Sequence, residues 1–308
     1  MNSRLACVVM LLLATSATAA EDFDTAVEEA WYRYISSEME EDLQLIADLA
    51  DQGVLAAKYR LAQIHDRGFG VEQDDHEAVK WYRRAADGGH PRAQLAMGLS
   101  YEYGEGVPKD YAEAARWYQK AREQGVGTAS MRLADLYRDG RGVVRDVDEA
   151  VALYQSRARA GDPIARLQLA EIFYRGEEVE KDYAEAARWF RPLAEIGDGP
   201  SQFYLAHMYH HGNGVVQNYA EAVRWYQLSA RTGVAAAQNA LGAMYYEGKG
   251  VPQNYITAHM WFNISGANGG EGAIANRELV AGRITAEQVA EAHERARRCV
   301  ESWYEECD

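Results

Sequence analysis

Apolar and polar positions recur along this chain every 36 residues, and the register holds through six units. Each unit contains two stretches whose apolar residues are spaced as on one face of an α-helix. Self-similarity at such a period is typical of an array in which one short structural element stacks on copies of itself. The most prominent column is a pair of aromatic or apolar residues: Trp81-Tyr82, Trp117-Tyr118, Leu153-Tyr154, Trp189-Phe190, Trp225-Tyr226 and Trp261-Phe262.

The second stretch of each unit has the start and stop signals of a helix. Asp or Asn stands before it and, in the first five units, Glu follows three residues later, which predicts a reciprocal capping box. An invariant alanine comes next, as expected where two helices approach closely, and the aromatic pair supplies most of the buried area. A closing glycine predicts a left-handed C-terminal residue. The predicted N-caps are Asp74, Asp110, Asp146, Asp182, Asn218 and Asn254.

The first stretch of each unit carries alanine or serine, then leucine or methionine, then a small residue, which together predict a helix with one apolar face. A Gly-x-Gly-Val turn connects it to the second helix, and its glycines suit positive φ. The fourth unit departs from this pattern, because Glu178 replaces the second glycine. If that position has positive φ, the loop is strained by about 1 kcal/mol or more.

The combined pattern, A-x3-L-[GA]-x2-Y-x2-G-x-G-V-x2-[DN]-x3-A-x2-WY, closely resembles the Sel-one-like repeat (SLR), a branch of the tetratricopeptide superfamily. The resemblance implies an all-α fold, an α-solenoid in which antiparallel helix pairs stack into a right-handed superhelix. Residues 53–269 hold the six repeats. Residues 21–52 are predicted to form a degenerate N-terminal helix pair, and residues 270–308 to form C-terminal capping helices, the last of them capped by Thr285 and Gln288.

The N-terminus has the pattern of a signal peptide. Arg4 precedes a short apolar run, Leu5 to Leu13, and Ala17-Thr18-Ala19 matches the small-x-small cleavage signal. We therefore expect residues 1–20 to be removed and the product to be exported, with no membrane-spanning segment, since the run is too short to span a bilayer. The C-terminal tail resembles that of exported bacterial SLR proteins. This resemblance favours export to the periplasm over secretion from the cell.

Two cysteines remain after the signal peptide, Cys299 and Cys307. In an oxidising compartment such a pair is more often a disulfide than a metal or redox site. A straight helix would hold positions eight apart at about 12 Å, beyond the Cα separation of about 7 Å that a disulfide tolerates. The chain is therefore predicted to turn back between the two cysteines.

Composition and the absence of certain motifs argue against several classes of function. Asp and Glu total 47 against 32 Lys and Arg, for a net charge of -15, which argues against nucleic-acid binding. The chain contains no Gly-x-Ser-x-Gly, P-loop, His-Glu-x-x-His or Ser-x-x-Lys signature. Cysteine-rich SLR relatives have been described as binding or hydrolysing β-lactams, but this chain lacks their cysteine pair in every repeat. We predict a protein that is not an enzyme and has no cofactor.

Three histidines, His207, His210 and His211, form a candidate metal cluster, because positions i, i+3 and i+4 face one way on a helix. No further ligand stands nearby in sequence, and His210 shares its column with Asp66, Glu102 and Arg138. We therefore interpret the cluster as part of a variable surface column and predict no metal site.

Recognition is expected in the columns that do not repeat. By resemblance to other solenoids, the first helices line the concave side and their non-framework residues face its groove. Several of these residues are apolar, which is typical of a surface that binds a peptide or protein, although they could instead close the helix packing and bind nothing. The candidate partner-binding residues are Tyr59, Leu95, Leu99, Met131, Asp135, Leu167, Phe203, His207, His210 and Tyr246.

These observations predict a monomeric, exported, non-enzymatic scaffold, adaptor or regulator that binds a protein or peptide in the groove. Two alternatives stay open at this point. One is a β-lactam-binding or β-lactam-hydrolysing enzyme, and the other is a purely structural protein of the cell envelope. The Trp/Tyr pairs are interpreted as core and not as a carbohydrate site, because their period is strict.

Overall fold

The computed structural model describes residues 17–37, 39–305 and 307, and the described part is all-α, with no strand. The predicted signal peptide lies outside the described residues except for residues 17–20, which are helical. The chain divides into two compact units, Met1–Leu153 and Tyr154–Asp308. No helix in the described part has the length and apolar character needed to cross a membrane.

The first unit holds seven complete helices in its described part, and an eighth crosses the unit boundary. They are α1 (Ala17–Ser37), α2 (Glu40–Asp51), α3 (Leu55–Arg67), α4 (Asp75–Asp87), α5 (Pro91–Tyr103), α6 (Tyr111–Glu123), α7 (Gly127–Asp139) and α8 (Val147–Arg159). Consecutive helices from α1 to α7 pack against one another, and α1 also contacts α3. The first helices of successive repeats contact each other directly where α5 meets α7.

The second unit continues the same alternation. Its helices are α9 (Pro163–Arg175), α10 (Tyr183–Glu195), α11 (Gly199–His211), α12 (Tyr219–Arg231), α13 (Ala235–Glu247), α14 (Tyr255–Ala267), α15 (Ala273–Ala281) and α16 (Ala286–Glu301). Consecutive helices from α9 to α15 pack together, and α16 returns to pack on α14. The capping box predicted at Thr285 and Gln288 is present at the start of α16.

At the start of the second helices, only one of the two hydrogen bonds of the predicted capping box forms. Each Asp or Asn side chain accepts the backbone N–H of the third helical residue, as Asp110 does from Glu113. The reciprocal bond of a capping box is absent there, because the Asp110 N–H donates to the Tyr101 carbonyl of the preceding helix at 2.9 Å. Glu113 instead pairs with Arg116, one turn further on. The tertiary contact therefore replaces half of the local motif and ties the two helices of a repeat together.

The repeat columns form the core of each unit. The invariant alanines of the second helices, such as Ala114 and Ala222, are fully buried, and so are Tyr118 and Tyr226. Where glycine occupies the small-residue column, an aromatic ring takes the space of the missing side chain. A Cβ added at Gly98 would lie 2.3 Å from the ring of Tyr118. The aromatic pairs are core, as predicted, although Trp81 is only half-buried.

The fourth Gly-x-Gly turn avoids the strain that glutamate could have introduced. Among described non-glycine residues, positive φ occurs only at Trp303 and Tyr304, so Glu178 adopts an ordinary backbone conformation. The corresponding glycines of the other turns, Gly106 among them, do have positive φ. The backbone of this turn therefore follows a different path from that of the other turns, and the backbone strain expected at Glu178 does not arise.

The C-terminal segment turns back on α16. Cys299 and Cys307 are paired in the structure, with their Cα atoms 4.5 Å apart. Both cysteines are buried in the core of the second unit. The turn passes through Trp303 and Tyr304, where Tyr304 packs on that core and Trp303 is 87% exposed.

Buried His259 makes the stability of the second unit depend on pH. The side chain is 2% exposed and its Nδ1 has no hydrogen-bond partner. Burial lowers its pKa to about 4, with smaller contributions from His293 on α16 and Arg277 on α15. An unfolded histidine titrates near 6.5, so acid protonates the unfolded chain first. The contribution of neutral His259 to the free energy of unfolding is therefore complete above about pH 6.5 and is lost as the pH falls towards 4.

We expect wild-type protein to lose roughly 1–2 kcal/mol more unfolding free energy between pH 7 and pH 5 than a His259→Gln variant. Urea unfolding at the two pH values measures the difference. Parallel losses in the two proteins would show that His259 is not the responsible group.

Candidate functional site

The ten predicted partner-binding residues all lie on first helices, from α3 to α13, and every one of them is half-buried. None is fully enclosed in the core, because each stands on the helix face opposite or beside the framework alanine and leucine. We call the surface that these residues form within each unit the first-helix face. In each unit, part of the set lines a cleft and part lies outside it.

The first-unit cleft has a volume of about 360 Å³ and lies between α3 and α5, with Val126 and Thr128 at its far edge. Three of the predicted residues, Tyr59, Leu95 and Leu99, line it. Met131 and Asp135, on α7, are not among its lining residues. The cleft therefore combines an aromatic ring and two aliphatic side chains, all partly open to solvent.

The neighbours of Tyr59 hold its ring in place. The ring stacks on His90 with centroids 4.6 Å apart, and the Tyr59 hydroxyl accepts a hydrogen bond from Gln63 at 3.1 Å. His90 is itself the N-cap of α5, since its Nδ1 accepts the N–H of Ala93. Burial lowers the pKa of His90 to about 4, with help from Arg92 and Arg60. At neutral pH this imidazole is uncharged, which suits its role as cap and stacking partner.

Charged side chains border the same cleft. Arg67 and Arg92 line it and are exposed, and within the described residues neither has a carboxylate within 4.0 Å. Asp66 also lines the cleft, but its carboxylate accepts a hydrogen bond from the Tyr82 hydroxyl at 3.1 Å. The border can therefore offer guanidinium groups to a bound segment without first breaking an ion pair.

The second-unit cleft has a volume of about 460 Å³ and lies between α11, α13 and the loop that precedes α15. Phe203, His207 and His210, all predicted, line it together with Tyr226 and Asn239. Leu167 and Tyr246 lie on the first-helix face outside this cleft. The Phe203 ring contacts the rings of His207 and Tyr226 at 6.3 and 6.0 Å between centroids.

The three histidines of α11 form one contiguous group in this cleft. The His207 and His211 rings are 4.3 Å apart, and His210 stacks on His211 at 4.5 Å. Burial, followed by the neighbouring histidines, lowers the pKa of His207 to about 4. Burial also lowers the pKa of His210. His207 is thus uncharged at neutral pH. Within the described residues, no set of three His, Cys, Asp or Glu side chains converges as a metal site.

The column that holds His210 makes side-chain contacts between helices that the sequence pattern did not predict. Glu102, expected at the surface, is buried and accepts a hydrogen bond from the Tyr118 hydroxyl. The Tyr174 hydroxyl, from the same column, lies 3.0 Å from Nδ1 of His207. Tyr226 was interpreted only as core, although its ring lines the second-unit cleft. Polar residues at the ends of the first helices were the available signal, but their partners stand 16 and 33 positions away, so no single spacing identifies the pairs.

Comparison with known proteins identifies the repeat. The Sel1 repeat model matches residues 55–90, 91–126, 128–162, 163–198, 199–234 and 235–270. The chain belongs to the Sel1 repeat family. The resemblance inferred from the repeat pattern is thus confirmed, and so is the all-α solenoid fold. Sel1 repeat solenoids are typically protein-interaction scaffolds and are generally non-catalytic.

Solved structures include further Sel1 repeat proteins. One from Oxalobacter formigenes is 30% identical, and the match covers 78% of this chain and 97% of that chain, with a TM-score of 0.63. The Escherichia coli protein c5321, described as a protective antigen of uropathogenic strains with an SLR fold, is 24% identical. That match covers 94% of this chain and 86% of c5321, with a TM-score of 0.39. Among curated proteins, none matches this Sel1 repeat chain.

Proposed function

We propose that this Sel1 repeat protein is a non-enzymatic, exported scaffold or adaptor that binds a segment of another protein on its first-helix face. The observation that carries the proposal is the coincidence of two independent features. Six of the ten residues selected from the sequence because they vary between repeats line a cleft, three in each unit. Framework residues of the same helices are buried, so variation is concentrated where a partner can reach.

The chemistry of the clefts suits a polypeptide segment. Leu95, Leu99 and Phe203 offer partly exposed apolar surface, and apolar patches bordered by polar groups are typical of protein-binding surfaces. Arg92 and Asn239 stand among them and supply hydrogen-bond donors that orient a backbone or a carboxylate. Contacts such as the stacking of Tyr59 on His90 hold the lining side chains in place, which limits the conformational entropy lost when a partner binds.

The proposal also includes export of the protein and a monomeric state. The signal-peptide pattern of residues 1–20 and the cysteine pair support an oxidising compartment, with the periplasm as the expected one. In such a compartment the protein would present its clefts to other envelope or exported proteins.

Affinity capture followed by binding measurements tests the function. The chain without its first 20 residues serves as bait for envelope proteins of the source organism, and a captured partner is purified. We expect the triple variant Leu95→Gln/Leu99→Gln/Phe203→Gln to bind that partner at least about tenfold more weakly than wild type, since it removes the apolar contacts.

A matched control changes three apolar residues away from the clefts. Val144, Ile164 and Val216 are 88%, 63% and 88% exposed. The variant Val144→Gln/Ile164→Gln/Val216→Gln therefore replaces the same number of apolar residues with glutamine as the cleft variant does. Circular dichroism verifies that both variants fold. Equal affinity of wild type and the cleft variant, or a loss only in the control variant, would contradict binding on the first-helix face.

A further inference from the structure

The histidines of the second-unit cleft have a spacing that positions two of them for a common ligand. His207 and His211 are four residues apart on α11, so their side chains leave the same face of the helix one turn apart. Their ring centroids are 4.3 Å apart. Histidines at this spacing on a helix are a standard means of binding a divalent transition-metal ion.

A second contact orients one of these rings. The Tyr174 hydroxyl, on α9, lies 3.0 Å from Nδ1 of His207 and occupies that nitrogen with a hydrogen bond. When Nδ1 carries the proton and donates it to the Tyr174 oxygen, Nε2 of His207 has the free lone pair that binds a metal. Metal-binding histidines almost always have their other ring nitrogen hydrogen-bonded in this manner, which holds the ring orientation. The Tyr174 ring also contacts the His207 ring edge-on at 6.3 Å between centroids.

The surroundings leave the pair accessible to a ligand. His211 is exposed, which leaves one side of the pair open to the cleft and to solvent. Glu271 lies across the cleft, and the nearby Lys249 is paired with Glu247 at 2.6 Å.

We propose that His207 and His211 form a binding site for one divalent transition-metal ion, with Cu²⁺ held most tightly. Imidazole nitrogen suits Cu²⁺, Zn²⁺ and Ni²⁺, and Cu²⁺ binds a given nitrogen site most strongly of these. His210 stacks almost parallel on His211 and is not part of the site. Since the described residues supply no convergent third ligand, water completes the coordination and can be displaced by a donor from outside. This site stands independently of the proposed scaffold function.

Cu²⁺ titration of the full chain tests the site. Isothermal titration calorimetry and electron paramagnetic resonance are recorded for wild type and for His207→Gln/His211→Gln. We expect the variant to bind one equivalent of Cu²⁺ fewer and to lose the spectrum of a copper ion bound by two nitrogens. Tyr174→Phe should retain the equivalent with about tenfold weaker affinity, because it removes only the orienting bond.

The control variant His65→Gln/His76→Gln removes the same number of histidines from the first unit. It should bind as many equivalents as wild type, whether or not copper also binds at the chain terminus. Equal stoichiometry and affinity in wild type and His207→Gln/His211→Gln would overturn the proposal. So would equal losses in both double variants, because these would point to non-specific binding by histidines.

Discussion

A Gly106→Ala variant is expected to lose about 3 kcal/mol of unfolding free energy, a large effect for the addition of one methyl group. Gly106 is the second glycine of a Gly-x-Gly turn and has φ of +66°. A Cβ there would lie 2.1 Å from the Asp75 carbonyl oxygen at the start of α4. The backbone cannot move aside as a flexible side chain could. Left-handed strain of about 1–2 kcal/mol therefore adds to an overpacking cost of about 1–3 kcal/mol.

Gly125→Ala separates the two contributions. Gly125 closes the second helix of the same repeat with φ of +83°, but a Cβ there would meet nothing within 4 Å. Only the backbone strain applies, so we expect a loss of about 1–2 kcal/mol. Urea unfolding of the two variants measures the difference. If both variants lose the same free energy, the close approach between the turn and α4 is not what requires glycine at position 106.

Trp117→Ala is expected to lower the unfolding free energy by about 3–5 kcal/mol. Trp117 is 5% exposed and packs in one cluster with Tyr82 and Met97, which belong to the neighbouring helices α4 and α5. It therefore joins adjacent elements of the array, and its removal weakens an interface between repeats as well as a core. It also borders a cavity of about 700 Å³ beside α7, which truncation would enlarge.

Trp303→Ala is the matched control for Trp117→Ala, because Trp303 is 87% exposed in the C-terminal turn. The same chemical change there should alter the unfolding free energy by no more than about 0.5 kcal/mol. Guanidinium unfolding followed by circular dichroism measures both variants. A loss under 1 kcal/mol for Trp117→Ala would show that the aromatic column does not hold the repeats together.

Much of the fold could be predicted because its signals are local and repeated. A helix start such as Asp110 acts on backbone groups two and three residues away, and the sequence shows both partners. The closing glycines, such as Gly125, have the positive φ that their position predicted. Six copies of each signal in one register remove the ambiguity that a single motif would leave.

The candidate clefts were predictable only in part. Half-burial of Leu95 and Phe203 follows from their place on the helix opposite the framework residues. Which of the ten residues share a cleft depends on the path of neighbouring loops, and Met131 and Leu167 lie outside both clefts. The sequence pattern does not predict the path of these loops, because it describes the residues within each repeat and not the space between repeats.

The sequence by itself determined the period, the helix boundaries, the buried columns and the family of this protein, because each follows from a residue pattern that recurs in every repeat. Only the tertiary structure decided the contacts between residues of different helices. The hydrogen bond between Tyr174 and His207 spans 33 positions. The Asp110 N–H was diverted from a capping box to the Tyr101 carbonyl. Such choices depend on how closely two helices approach, since a hydrogen bond is lost within an ångström of extra separation.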